Sequence, residues 1–320
     1  MTTAREMRVR AVRYEAEGVL SFELWPLEPR MLSPVEAGAH IDLKLGNGLL
    51  RSYSLCNAPG ETHRYVVGVA FDPASRGGSR YMHEQLRPGD RVKVIGPRNH
   101  FALDESASHT VLVAGGVGIT PLWAMAQRLQ SLGRSWRLHY AARSATHAAF
   151  VEDLRQLAPH AVRMHFDDEC GGRLLDIRAI VEASPPGTHF YCCGPVPMLR
   201  AFEEATTHLP REQVHLEYFK APEPPPAATD AAQSFEVELA RTGRVLQVGP
   251  GRSILDEMLG VGIEVPYSCM EGICGSCEIK LLAGEADHRD MVLSDSQKKA
   301  GNSIMVCCSG ARSPRLVLDA

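Results

Sequence analysis

The sequence predicts a multidomain chain: an antiparallel β-barrel, then an α/β domain with a doubly wound parallel sheet, then an α+β domain of the β-grasp type. Three observations predict it. Residues 7–104 fall into short alternating runs bounded by Gly and Pro, the pattern of a small barrel. Around 111–132 a strand, a glycine loop and a helix follow one another, the order that cradles phosphates in doubly wound sheets. Towards the C-terminus, Cys269, Cys274 and Cys277 stand in a C-x4-C-x2-C run, with Cys307 far downstream.

Bulk properties bound the problem. At 320 residues the chain exceeds one ordinary core. With 44% hydrophobic and 22% charged residues and a net charge of −4, it has the composition of a soluble globular protein. That balance offers no clustered basic face for nucleic acid. No apolar run approaches the ~18–20 residues that span a bilayer, and Met1–Glu6 leads into strand-like sequence without a secretory apolar region. Nine cysteines, several in apolar runs, suit a reducing compartment. A cytoplasmic, monomeric protein without membrane or nucleic-acid partners is expected.

In the barrel, Met7–Tyr14, Val19–Leu24, His40–Leu45, Tyr65–Ala70 and Arg91–Ile95 read as strands. Arg51-Ser52-Tyr53-Ser54-Leu55 is a further one, with Arg51 and Tyr53 on one face and Ser52 and Ser54 on the other. Arginine can clamp a phosphate and tyrosine can lie along a flat ring. A plain exposed strand would carry the same residues. Arg76-Gly77-Gly78-Ser79 opens a helix over Arg80–Leu86, with Ser79 as its expected N-cap. Free amides and the helix dipole there favour an anion, although an ordinary capped loop is the simpler alternative.

The nucleotide domain begins with the apolar strand Val111–Ala114. The loop Gly115-Gly116-Val117-Gly118-Ile119-Thr120-Pro121 follows, then a helix over Leu122–Leu132 with Pro121 at its first position. Strands at Trp136–Ala141, Ala161–Phe166 and His189–Cys193, with a helix at Phe150–Leu157, complete the alternation of a parallel sheet. Cys193 ends a buried strand before the turn Gly194-Pro195, at the carboxyl edge where such sheets bind ligands; Cys192 is a small core residue. Asp167-Asp168 could accept hydrogen bonds from a ribose and repel a 2′-phosphate, or could simply line a solvated loop. His215–Phe219 reads as the final strand, with Phe219 in the core or at an edge.

Lys220–Gln233 is rich in proline and alanine and lacks apolar period, as a semi-extended linker does. The expected division is therefore barrel 1–106, nucleotide domain 107–222, linker 223–233 and β-grasp domain 234–320. The last opens with a strand pair (Phe235–Arg241 and Val245–Val248) and a helix over Ile254–Leu259. Residues 233–320 hold nine Lys/Arg against twelve Asp/Glu, so this end is the more acidic one. The C-x4-C-x2-C spacing with a distant fourth cysteine matches plant-type [2Fe–2S] ligation. Zinc ribbons favour paired C-x2-C hooks, and only one such pair is present. Cys307 and Cys308 are adjacent, so either could be the fourth ligand. The twenty-nine residues between Cys277 and Cys307 are the separation expected of plant-type ferredoxins, which selects Cys307 and leaves Cys308 as a neighbour packed into the core.

RSYSLCN (Arg51–Asn57), RGGS (Arg76–Ser79), VLVAGGVGITP (Val111–Pro121), YCCGP (Tyr191–Pro195), GEADHRDMVL (Gly284–Leu293) and IMVC (Ile304–Cys307) occur in that order. In this the chain resembles the phthalate dioxygenase reductase family and the related aromatic-demethylase reductases. The resemblance implies FMN, NADH as co-substrate and a [2Fe–2S] cluster, with electrons passing in that order to a separate Rieske-type aromatic oxygenase. A di-iron or haem monooxygenase is the alternative acceptor, and a non-enzymatic redox-sensing or binding module is a remoter reading. It further implies that Arg51, Ser52, Tyr53, Ser54, Val69, Ala70, Gly77, Gly78 and Ser79 hold the flavin, with Ser54 near its N5. Gly115, Gly116, Val117, Gly118, Thr120, Asp167, Asp168, Cys193, Gly194 and Pro195 would hold the nicotinamide nucleotide, and Phe219 would cover the flavin ring. Ser54, Cys193 and Phe219 are the residues implied at the site of hydride transfer. Cys269, Cys274, Cys277 and Cys307 would hold the cluster.

Overall fold

The computed structural model describes residues 4–28, 31–220 and 234–320, so the proposed linker 223–233 lies outside the described residues. The chain forms two compact units, Met1–Phe219 and Lys220–Ala320.

The first unit opens with six strands: β1 (Arg5–Ala16), β2 (Val19–Pro26), β3 (His40–Lys44), β4 (Leu50–Ser54), β5 (Tyr65–Ala70) and β6 (Arg91–Arg98). They run antiparallel in the order β4-β3-β6-β1-β2-β5. A bridge between Leu55 and Val67 joins the two edges and closes the barrel. Alternate residues turn inward, and Met7, Val9, Phe22, Leu24, Ile41, Leu43 and Val67 are fully buried there. Each such side chain contributes roughly 1.5–3 kcal/mol relative to exposure. Register shifts after Val9 and Tyr14 change the phase of β1, which is how Ala16 comes to be buried as well.

One local expectation fails here. Helix α1 (Gly78–Glu84) starts earlier than predicted, and its N-cap is Gly77 in the left-handed region, without a side-chain cap. Ser79 therefore sits inside the first turn, where its Oγ accepts a hydrogen bond from the Asp72 amide at 3.2 Å. Only glycine takes a left-handed backbone at little cost, so the second residue of the RGGS run ends the loop before the serine can.

The nucleotide portion comprises β7 (His109–Gly115), α2 (Ile119–Ser131), β8 (Trp136–Ala142), α3 (Val151–Leu157), β9 (Val162–Phe166), α4 (Ile177–Glu182), β10 (Thr188–Cys193), α5 (Val196–Thr206) and β11 (Val214–Glu217). The sheet is wholly parallel, in the order β11-β10-β7-β8-β9. Strand β7 explains its continuous apolar run: Leu112 and Ala114 join one core, Val111 and Val113 the other. The strand order reverses beside β7, which leaves a crevice at the carboxyl ends of β7 and β10.

Two further boundaries move. A 3-10 turn over Gly116–Gly118 runs straight into α2, so Pro121 occupies the third helical position. The first-turn amides have no intrahelical acceptor, so proline costs nothing there either. Strand β11 stops at Glu217, leaving Tyr218 and Phe219 beyond it.

The second unit contains β12 (Phe235–Leu239), β13 (Arg244–Val248), α6 (Ile254–Gly260), β14 (Glu278–Ala283), β15 (Ala286–Asp287), α7 (Asp295–Ala300), β16 (Ser303–Met305), β17 (Gly310–Ala311) and β18 (Arg315–Leu318). Its main sheet runs β13-β12-β18-β14-β16, with β12 and β18 parallel across the centre, the mixed sheet of a β-grasp fold. Helix α6 is fixed at its start by a capping box between Ser253 and Asp256, an arrangement worth about 1 kcal/mol. It buries Ile254, Leu255 and Met258 against the sheet. Among the described residues no helix is long and apolar enough to cross a membrane.

Candidate functional site

The crevice at the ends of β7 and β10 is built by close backbone approach. A Cβ on Gly118 would lie 2.1 Å from the Cys193 carbonyl oxygen, so only glycine lets the loop after β7 rest on the turn after β10. Gly115 and Gly194 are similarly pressed against Met198, and Pro195 caps α5. Thr120 donates its hydroxyl to the Val117 carbonyl at 3.0 Å. Its methyl group meets Gly68 of β5, directly before Val69 and Ala70. The glycine loop thus faces the barrel strand that the sequence implicates in flavin binding.

A residue missed by the sequence analysis completes this corner. Cys193 is fully buried and stands opposite Glu217 in the β10–β11 register. Ser54, at the end of β4, donates its hydroxyl to Glu217 Oε2 at 3.4 Å. Glu217 as a residue keeps intermediate exposure, but its carboxyl group is enclosed by protein. That enclosure pushes its pKa up to about 8, and the Ser54 hydrogen bond only partly opposes it. Burial, then the charge of Glu217, pushes the Cys193 thiol far above its ordinary range. The available signal was an acidic residue in the last strand of a parallel sheet, where a carboxylate is out of place unless it has a task.

A second corner gathers the implied phosphate-binding residues. Arg51 donates to the Leu50 carbonyl at 2.8 Å and to the Arg76 carbonyl at 3.4 Å. A Cβ on Gly78 would lie 2.7 Å from Arg51 Nε, so the missing side chain is what admits the guanidinium beside the start of α1. A guanidinium against a glycine-lined turn is a donor set that fits a phosphate. Tyr53 packs partly against the barrel core, and burial raises its phenol above the usual range. Ser52 is turned to another purpose, donating to Asp42 Oδ1 at 2.6 Å.

Asp167 and Asp168 follow β9 at the carboxyl edge of the sheet. Their amides are pinned to the carbonyls of Ala142 and Arg143 at 3.0 and 3.1 Å. Asp168 is exposed and Asp167 half-buried. Phe219 stands outside the core, 42% exposed.

In the second unit the thiol loop has its own donors. The Glu271 and Ile273 amides donate to Cys269 Sγ at 3.3 and 3.4 Å, and the Cys269 amide donates to Cys274 Sγ at 3.5 Å. Met270 adopts φ 60°, an uncommon conformation for a side-chain-bearing residue, which accompanies this inward turn of amides. Cys269 is within reach of Cys274 and Cys307, and Cys307 of Cys277, so the four sulfurs form one linked set. Among the described residues no group of three His, Cys, Asp or Glu is arranged around a single metal ion, and all nine cysteines are free. Paired thiols under converging amides fit a two-iron cluster. Cys308 adjoins Cys307 but packs towards Gly272 and the Met305 carbonyl.

Comparison with known proteins agrees with both units. Residues 112–204 match the oxidoreductase NAD-binding domain family, and residues 237–312 match the 2Fe-2S iron-sulfur cluster binding domain family. The chain is 53% identical to phenoxybenzoate dioxygenase subunit beta of Ectopseudomonas oleovorans, over 98% of this chain and 96% of that one. Among solved structures, it superposes on an intact type IV self-sufficient cytochrome P-450 monooxygenase with TM-score 0.90 at 38% identity, covering 99% of this chain and 41% of that longer one. It superposes on phthalate dioxygenase reductase with TM-score 0.73 at 39% identity, covering 99% and 98% of the two chains. An NAD-binding fold, a cluster-binding fold and whole-length similarity lead to one conclusion: the chain belongs to the phthalate dioxygenase reductase family, as an NADH-dependent flavin and iron–sulfur oxidoreductase.

Proposed function

We infer that the chain passes electrons from NADH through FMN and a [2Fe–2S] cluster to a separate oxygenase component. The convergence of Ser54, Thr120, Cys193 and Glu217 on one corner carries this reading, because it joins the barrel motif to the nucleotide loop. When bound, the nicotinamide supplies a hydride, the flavin splits the pair, and the cluster carries single electrons.

The residues then divide the work. Arg51, with the backbone of Gly77, Gly78 and Ser79, binds the flavin phosphate, while Tyr53, Ser54, Val69 and Ala70 border the ring. A barrel of residues 1–106 would carry these groups and a domain of residues 107–222 the nucleotide. Gly115, Gly116, Val117, Gly118, Thr120, Gly194 and Pro195 seat the nicotinamide end against Cys193, and Asp167 and Asp168 take the ribose. Glu217 orients the Ser54 hydroxyl and holds a proton up to about pH 8. Phe219 shields the ring from water. Cys269, Cys274, Cys277 and Cys307 hold the cluster.

Two acceptor classes compete. The whole-chain superposition on a cytochrome P-450 monooxygenase favours a haem monooxygenase. A Rieske-type aromatic oxygenase is the second reading, supported by the names of the dioxygenase relatives. Rapid mixing of the NADH-reduced protein with a purified oxygenase of each class tests the choice. Fast reduction of the haem protein alone would establish the first, fast reduction of the Rieske protein alone the second. Reduction of neither would overturn the oxygenase reading.

A further inference from the structure

The motif Gly284–Leu293 plays no part in the site described above, yet it backs the thiol loop. Gly272, between Cys269 and Cys274, has φ +73°. A Cβ on it would stand 2.5 Å from Cys308 Sγ and 3.1 Å from Asp290 Cα. Its carbonyl accepts a hydrogen bond from the Met291 amide at 2.9 Å. The loop carrying three thiols therefore rests on the backbone of residues 290–291, with Asp290 immediately behind it.

Asp290 is an unusual residue to find there. Its side chain is wholly buried. Oδ2 accepts from the Val292 and Leu293 amides at 3.2 and 2.8 Å. Oδ1 has no hydrogen-bond partner; the nearest basic atom is His288 Nδ1 at 3.6 Å, itself buried and without one. Lys298 of α7 donates to the Asp290 carbonyl at 2.6 Å and stands 3.9 Å from Oδ2. An asparagine could accept the same two amide bonds without burying a charge, which is costly even when paired. The hydrogen bonding thus accounts for an oxygen at this place, but not for a charge.

We propose that Asp290 and Lys298 set the reduction potential of the iron–sulfur cluster from behind its ligand loop, acting as positioning residues of opposite sign. A carboxylate in a poorly screened interior opposes the extra electron of the reduced cluster and so favours its release. Lys298, partly exposed, offsets that effect. The pair thereby determines how readily an electron arriving at the cluster moves on.

The inference rests on the four thiols holding a [2Fe–2S] cluster, and the test separates the two readings. Potentiometric titration of the purified full-length holoprotein, followed by electron paramagnetic resonance, gives the midpoint potential and the cluster signal together. Absence of a cluster signal in the unsubstituted protein would refute the cluster itself. Asp290→Asn is expected to raise the reduced-to-oxidised ratio at a fixed poise about tenfold, about 59 mV for one electron. Lys298→Met is expected to lower that ratio, by less, because solvent screens it. Iron content and g-values should match the unsubstituted protein in both. Unchanged potentials, or shifts of the same sign in both variants, would overturn the proposal. Should Asp290→Asn fail to retain iron, the sign of the Lys298→Met shift decides alone.

Discussion

Ser54 and Glu217 stand 163 residues apart in the first unit and meet at a hydrogen bond of 3.4 Å. One ends a barrel strand and the other ends the last strand of the parallel sheet. Their contact ties the strand that carries Arg51–Ser54 to the edge of the crevice where Cys193 lies, and it places a carboxyl of raised pKa there.

The first prediction follows from that shift. Glu217 binds its proton more tightly folded than unfolded, where its value is near the ordinary 4.5. Its contribution to stability is therefore complete below about pH 4.5 and is lost as pH rises through about 8. Glu217→Gln removes the titration. The melting temperature of this variant should match the parent near pH 5 and exceed it increasingly towards pH 8. A constant difference across that range would show that Glu217 does not titrate there. Hydride transfer from NADH should also slow in the variant above about pH 8, where the parent's Glu217 is ionised and Ser54 loses a charged acceptor.

Coenzyme choice is the second. Asp167 and Asp168 are held at the sheet edge by backbone hydrogen bonds to Ala142 and Arg143. Repulsion of a 2′-phosphate by these carboxylates is worth ~1–3 kcal/mol, about tenfold to a hundredfold in kcat/KM. NADH should be preferred over NADPH by that factor. Replacing both aspartates by Ser-Arg should improve NADPH use. Equal kcat/KM for the two coenzymes would refute the assignment.

The third concerns the flavin. Gly78 leaves space for the Arg51 guanidinium at the start of α1, so Arg51→Ala should weaken flavin retention while leaving the cluster spectrum intact. Gly78→Val should do the same by displacing the arginine. Chromatography of heat-released cofactor should give FMN, and an FAD peak would refute that identity.

What could be read in advance divides along physical lines. Signals within one segment were legible: the two-faced burial of β7 follows from its unbroken apolar run, and the thiol loop from its cysteine spacing. Ends of elements were less so. Tyr218 and Phe219 continue the alternation of β11 but lie beyond its last hydrogen-bonded pair, Cys193 with Glu217. Ser79 looks like a cap, yet Gly77 reaches the left-handed region first. Glu217 and Asp290 were hidden for another reason. Their meaning depends on partners brought close by tertiary packing, which local pattern does not encode.

The last prediction separates flavin chemistry from cluster chemistry. Cys277 is buried and belongs to the linked set of four thiols, so Cys277→Ser should destroy or disable the cluster. Ser54, Cys193, Glu217 and Arg51 all lie in the other compact unit, and the flavin and nucleotide sites should survive. The variant should still reduce ferricyanide with NADH at close to the parent rate, since this small acceptor can collect electrons from reduced flavin. Reduction of cytochrome c or of an oxygenase should fall by at least an order of magnitude, because those acceptors need the cluster as a one-electron exit. Cys308→Ser should leave both activities largely intact, since Cys308 packs towards Gly272 and the Met305 carbonyl. If the Cys277 variant keeps full cytochrome c reduction, electrons leave from the flavin and the proposed order of carriers is wrong.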